Sequence, residues 1–301
     1  MQFLPITATP FPHPGYRELL PCAGLAPYVR CFWTSWNEAV TVPSPEREKA
    51  LSAVIPDLCA DIIIVTDGTE DADDGMAVLR MDFCGVNDRM FWSGHSNAPY
   101  RRLFGIRLYA WQASLFSDEP LSKTANACFD AGAHFATAER LLRQRFSPSM
   151  MLGEFKVAAE GILLLLLERP VRKVPEQHRL VRDAVMQMIR MRGAQGLSSL
   201  LKDVHAGERQ LERLFAYTCS LSPKKVSSLI RYQSLWQALC RKGHSAPGSV
   251  AMQDAVFAYG YFDQAHLLND FKKFHGMSLP EARKLAGLLG AQAECGDSLL
   301  R

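Results

Sequence analysis

The sequence predicts an α+β protein: a β-rich N-terminal domain, a helical linker region, and an all-α C-terminal domain holding two helix-turn-helix motifs. Three observations carry that prediction. Residues 1–130 contain short aromatic and β-branched runs bounded by turn residues. From residue 134 the apolar residues recur at three- and four-residue spacing. The last third repeats itself: Leu211, Phe215, Leu221 and Ser222 recur as Leu267, Phe271, Met277 and Ser278, each 56 residues on. A chain of 301 residues that is 48% apolar is long and greasy enough for two cores.

Each element follows in order. Tyr28–Trp36 is aromatic and β-branched and reads as a strand. Asp61–Thr66 is a buried strand closed by the turn pair Asp67-Gly68. Ala77–Phe83 and Leu103–Tyr109 are further strands, and the acidic stretch Thr69–Gly75 is a solvated loop. Helical spacing then takes over, with Ala138, Leu141, Leu142 and Phe146, then Phe155, Ala158, Ala159, Ile162 and Leu166. Pro148 and the basic run Pro170–Pro175 punctuate these helices, and the second is the linker candidate. Their apolar faces suit either packing against the β domain or pairing with a second copy.

In the repeated third, two helical segments precede the repeat. Leu197, Leu200, Leu201 and Val204 form the first; Val250, Ala255, Val256 and Tyr259 form the second. Tight breaks follow, at Ala206-Gly207 and at Gly260, so the order is helix, turn, helix, twice. Ser222 suits an N-cap and Pro223 a first turn. The stripe Leu229, Tyr232, Leu235, Trp236 and Leu239, ended by Gly243, makes the joining helix a core element. Residues 180–284 carry 15 Lys and Arg against 8 Asp and Glu, a balance of +7, while residues 1–179 carry 18 against 21. The basic third is the repeated third, as phosphate binding requires.

The second copy, Tyr259-Gly260-Tyr261-Phe262-Asp263-Gln264-Ala265-His266-Leu267 followed by Phe271-Lys272-Lys273-Phe274-His275-Gly276-Met277-Ser278, resembles the signature stretch of AraC/XylS-type transcriptional regulators. Glu208–Phe215 and Leu221–Lys225 agree with it in the first copy. The resemblance covers roughly residues 180–285. Leu25–Val29, Ile55–Asp57 with Asp61–Ile63, and Phe104–Leu108 resemble a poorly characterised N-terminal domain that accompanies such modules. The usual Pro-Gly-rich continuation is replaced here by Tyr109-Ala110-Trp111-Gln112. The resemblance implies a β-rich regulatory domain over 1–130, a helical linker over 131–178 with a dimerisation role left open, a double helix-turn-helix DNA-binding domain over 179–290, and a tail over 291–301.

In each motif the second helix would enter the major groove. Leu211, Leu214 and Phe215 face the core, leaving Arg209, Gln210, Glu212 and Arg213 exposed. Arg209 and Arg213 share a face, and arginine can grip guanine O6 and N7 together. The alternative for both is a surface ion pair with Glu208 or Glu212. In the second copy Gln264, His266, Asn269 and Asp270 are the groove-facing candidates, and Gln and Asn can read adenine. His266 is alternatively a buried or capping histidine. Asn269 stands where the family is commonly basic, so the second half is expected to favour phosphates over bases. Lys224, Lys225, Arg231, Lys272 and Lys273 are the phosphate candidates.

Eight cysteines lie far apart without C-x-x-C or zinc spacing, and the expectation is mostly buried, reduced thiols, with a redox pair as the alternative. Met1–Pro5 lacks a basic leader, so the expected location is cytoplasmic, with no membrane partner. Ser222-Pro223-Lys224-Lys225 fits S-x-x-K without its companion motifs, and no nucleophile elbow, zincin motif, P-loop or dinucleotide fingerprint occurs. Asp57 and Asp61 form a formal acid–base pair, better read as residues that cap strands or bind loop backbone. His95 has no partners in sequence.

The expectation is a non-enzymatic, sequence-specific transcription regulator without a cofactor or metal. Its partners would be double-stranded promoter DNA, a small-molecule effector, a second copy forming a homodimer, and RNA polymerase if it activates. The competing readings are a metabolite-binding protein or enzyme with a vestigial helix-turn-helix tail, and a protein-interaction adaptor.

Overall fold

A computed structural model describes residues 5, 16–36, 53–67, 77–92, 101–170, 178–241 and 252–284. The strands are β1 (Tyr16–Leu19), β2 (Val29–Trp36), β3 (Ala53–Val54), β4 (Cys59–Asp67), β5 (Ala77–Cys84), β6 (Phe91–Trp92), β7 (Arg101–Tyr109) and β8 (Cys128–Asp130). Six make an antiparallel sheet in the order β1-β2-β7-β4-β5-β8, and β3 pairs with β6. The four long strands coincide with the four expected ones. The short edge strands β1 and β8 and the β3–β6 pair were not legible, being too short or too polar for a periodic signal.

Register explains the sheet's two faces, because side chains alternate with a period of two. Phe32, Ile106, Ile62, Phe83 and Phe129 stand in one row across five strands. With Phe104, Ile64 and Met81 they form an apolar face. Helices α1 (Gly132–Arg145) and α2 (Leu152–Glu168) cover it through Phe135, Ala138, Leu142, Phe155, Ala159 and Ile162. Phe155 meets Phe32 and Phe104 with ring centroids 6.2 and 5.1 Å apart. Each such fully buried ring contributes about 1.5–3 kcal/mol by leaving water.

The opposite face carries the row Cys31, Arg107, Asp61, Cys84 and Cys128. Trp33 lies flat beside it over Gly105, where a Cβ would overlap the indole. At the end of that row Cys84 and Cys128 form a disulfide, which corrects the expectation of reduced thiols. Cys22, Cys31, Cys59 and Cys219 are free, and the last three are buried.

The remaining helices are α3 (His178–Arg190), α4 (Leu197–Asp203), α5 (Glu208–Cys219), α6 (Pro223–Arg241), α7 (Met252–Ala258) and α8 (Gln264–His275). Leu229, Tyr232, Leu235 and Trp236 are buried along α6, with Val185, Met188, Leu211, Phe215, Phe271 and Phe274 around them. This second core also takes in Ile55, Leu58, Val86, Tyr109 and Trp111 from the sheet domain. The replaced stretch after Leu108 therefore serves as a seam: Tyr109 and Trp111 stack at 4.8 Å and pack into the helices. Gln233, fully buried on α6, donates to the Pro56 carbonyl at 2.6 Å. Leu121 N–H donates to the Tyr217 carbonyl at 3.1 Å. Residues 171–177, 242–251 and 285–301 lie outside the described residues, and with them the linker candidate beyond Pro170, Gly243 and Val250; Thr69–Gly75 and His95 do as well. Among the described residues no helix is long and apolar enough to cross a membrane.

Candidate nucleic-acid interface

Two helix pairs, α4–α5 and α7–α8, stand at either end of α6. Their second helices share the 56-residue frame in detail. N-caps Gly207 and Asp263, core residues Leu211 and Leu267, then Phe215 and Phe271, and the left-handed C-caps Ser220 (φ 59°) and Gly276 (φ 73°) all fall 56 apart. The first helices run on a 55-residue offset instead. They end in matching backbone bonds, Ala206 N–H to Leu201 O and Tyr261 N–H to Val256 O, which close a left-handed residue at His205 (φ 52°) and at Gly260 (φ 64°). The first break thus turns on His205, whereas Gly207 takes extended backbone as the N-cap (φ −76°, ψ 146°). Gly260 is required by more than its φ: a Cβ there would overlap Ala194.

The caps differ in strength. Gly207 offers no side chain, whereas the Asp263 carboxylate accepts from His266 N–H at 2.7 Å. His266 is exposed, its Nδ1 accepts from Phe262 N–H at 3.4 Å, and its Nε2 lies 3.6 Å from Asp270. It therefore sits in the capping arrangement rather than in the core.

On α5 the side chains of Arg209, Gln210, Glu212 and Arg213 are exposed, while Leu211, Leu214 and Phe215 are buried. Among the described residues neither Arg209 nor Arg213 has an ion-pair or hydrogen-bond partner, so the surface salt bridges to Glu208 or Glu212 do not form. On α8 Gln264 and Asn269 are exposed, and Leu267, Phe271 and Phe274 are buried. Lys224, Lys272 and Lys273 are exposed. Lys225 and Arg231 are placed differently. Lys225 Nζ pairs with Asp88 of the sheet domain at 3.0 Å. Arg231 donates to the Gly260 carbonyl at 3.2 Å and lies over the Tyr261 ring at 5.1 Å, tying α6 to the second turn.

Sequence reasoning missed Phe257 and Phe262, which are 85% and 90% exposed beside that turn. Apolar residues spaced five apart across a glycine break carry no periodic signal. It also missed His275. This side chain is buried against Trp236 and stacked on Phe271, with Nδ1 2.8 Å from the Tyr232 hydroxyl, and burial lowers its pKa to about 4.

The sheet domain holds a second polar cluster. Arg107 Nε donates to Asp61 at 3.0 Å, its Nη1 lies 3.7 Å from Asp57, and Trp33 Nε1 donates to Asp61 at 2.8 Å. Asp57 also accepts from Cys59 N–H at 2.9 Å, the backbone role expected for it. Burial, reinforced by the Asp61 charge and opposed by Arg107, raises its pKa to about 6.

Residues 17–130 match a family described only as a domain of unknown function (DUF6597). No curated protein matches the chain. Among solved structures it is distantly similar to ToxT from Vibrio cholerae O395, with 7% identity and a TM-score of 0.38 over 78% of this chain and 93% of that one. The unsaturated fatty acid-bound wild-type ToxT from Vibrio cholerae strain SCE256 gives 8% identity and a TM-score of 0.39, covering 75% and 86%.

Proposed function

We propose that the chain is a sequence-specific DNA-binding transcription regulator of the AraC/XylS type, whose helical module is controlled from the sheet domain. The observation that carries this reading is the pair of second helices. Both repeat one core frame, and both turn polar side chains outward, with Arg209 and Arg213 unpaired on the first. An exposed arginine without a partner keeps its five donors free for base edges or phosphates. Arg209, Gln210, Glu212 and Arg213 would read one major-groove segment. Gln264, His266 and Asn269 would face the next, with His266 orienting the helix start as well. Lys224, Lys272 and Lys273 would neutralise phosphates. Lys225 and Arg231 could join them only by giving up Asp88 and Gly260.

In this proposal residues 1–130 sense an effector or partner, residues 179–290 bind DNA, and α1 and α2 of residues 131–178 lean on the sheet. A second copy would meet the outer side of α2, where Val157, Leu164 and Leu165 are exposed. The shared core, the Gln233–Pro56 bond and the Lys225–Asp88 pair are the contacts through which a signal at the sheet would alter the module, because a ligand shifts only an equilibrium whose states it binds unequally. Selection of bound fragments from a random duplex library tests the reading: an enriched bipartite motif supports it, and recovery of unbiased sequence contradicts it.

A further inference from the structure

We propose that Cys84–Cys128 is a thiol–disulfide exchange site whose redox state sets how firmly the sheet domain grips the helical module. The disulfide sits at the root of a clasp. Beyond Cys84 the chain runs through residues 85–90, and it returns to Cys128 through residues 121–127. The two segments bond to each other: Gly85 N–H to Ala127 O and Asn126 N–H to Val86 O, both at 2.9 Å, and Asp88 N–H to Asn126 Oδ1 at 3.0 Å. They are so close that a Cβ on Gly85 would overlap the Thr124 carbonyl.

This clasp makes much of the contact with the helices. Asp88 pairs with Lys225, Leu121 bonds to Tyr217, Val86 enters the shared core, and Met90 covers Gly276. Besides these bonds, its attachment to the sheet rests on one short strand and the disulfide. Among the described residues β8 is a three-residue edge strand paired with β5 alone, through Asp82–Asp130, Phe83–Phe129 and Cys84–Cys128. Opening the disulfide frees the inner end of that edge, and the clasp loosens with it.

The pair is also reachable. Cys128 is exposed and Cys84 half-buried, while the Cys31, Cys59 and Cys219 thiols are buried and pushed up by burial; Cys22, as half-buried as Cys84, is a single free thiol. The reductant is a low-molecular-weight monothiol. Its thiolate attacks Cys128 Sγ, the protein S–S bond breaks, and Cys84 leaves as a thiolate that takes a proton from water. A second monothiol thiolate attacks the small-molecule sulfur of the mixed disulfide and releases Cys128, which is protonated in turn. The protein gains two electrons and two protons, and two monothiols become one small disulfide. The reverse reaction restores the staple.

The test uses the full chain equilibrated in oxidised or reduced glutathione. Free thiols are counted in denaturant, and amide hydrogen exchange is followed by mass spectrometry. The oxidised chain should show two fewer thiols than its eight cysteines would give. Reduction should speed exchange at least tenfold in peptides spanning 85–90, 121–127 and 217–226, and leave α1 and α2 unchanged. The double variant Cys84→Ser, Cys128→Ser should exchange like the reduced chain in both buffers. Eight free thiols in oxidised glutathione, equal exchange in both states, or uniform unfolding on reduction would each overturn the proposal.

Its consequence for DNA rests on the function proposed above, and the two can fail separately. If exchange responds to redox but neither form discriminates DNA, the regulator reading fails and the switch stands. If DNA is discriminated and exchange ignores redox, the switch fails alone.

Discussion

Gly276→Ala should wedge the seam between the sheet domain and the helical module. Gly276 ends α8 at φ 73°, and an alanine held there costs about 1–2 kcal/mol for its left-handed backbone. The added Cβ would also overlap Met90 Cε, the far end of a flexible side chain of the sheet domain, and swinging that side chain aside costs about 0.5–1.5 kcal/mol more. The single variant should lose roughly 1.5–3.5 kcal/mol. Met90 is half-buried, so Met90→Ala alone should cost about 1–2 kcal/mol, below the range for a fully buried methionine. In the double variant the overlap is gone and only the backbone term and the lost packing remain. The cycle should therefore show a favourable coupling of about 0.5–1.5 kcal/mol. Urea unfolding followed by tryptophan fluorescence is the assay, because Trp111 and Trp236 both sit in the shared core. Additivity within about 0.3 kcal/mol would refute the docked arrangement, since residues that do not touch do not couple.

Other expectations follow from the same geometry. Arg213→Ala should leave stability within about 0.5 kcal/mol, because the side chain is exposed and unpaired. Arg231→Ala should cost about 1–2 kcal/mol by removing its bond to Gly260 and its contact with Tyr261; thermal melts of the two variants that coincide would contradict this. Asp263→Ala removes the cap on α8 and should cost about 1 kcal/mol, read from the shift in urea midpoint, with an unshifted midpoint counting against the cap. Acid should act through two buried groups of opposite sign. His275 falls from 6.5 to about 4, so the unfolded chain takes up its proton first; stability present above 6.5 is lost down to about 4, about 3 kcal/mol in all. Asp57 rises from 3.8 to about 6, so its folded form holds the proton and the stability it contributes is lost as pH rises from 3.8 to 6. The two slopes oppose each other between 4 and 6, and Asp57→Asn should therefore lose stability more steeply on acidification than the parent; parallel profiles would contradict the assignment.

What could be read from sequence was what depends on local spacing. The long strands and the doubled core frame of Leu211 and Phe215 with Leu267 and Phe271 follow from periodicities of two and of three to four. What escaped depends on tertiary register. Cys84 and Cys128 are 44 residues apart, and only the placement of β8 beside β5 brings them opposite. Tyr109 and Trp111 read only as a departure from the usual Pro-Gly-rich continuation but pack across the seam, and Lys225 and Arg231 read as phosphate candidates but engage Asp88 and the second turn. The sequence places the first break at Ala206-Gly207; the chain puts its left-handed residue one position earlier, at His205, and uses Gly207 as a cap. At the candidate site the solvent-facing set on α5 followed directly from its core stripe, whereas the capping geometry of His266 needed the position of Asp263.

The most direct test is binding of the purified chain to its own upstream DNA and to a scrambled duplex at one near-physiological salt concentration, with Arg213→Ala alongside. The account predicts a preference of roughly a hundredfold or more for the native duplex, largely lost in the variant while its fold is intact, as loss of about 1–3 kcal/mol of base recognition requires. Equal, weak binding to both duplexes, unchanged by the substitution and repeated across a random library, would contradict it.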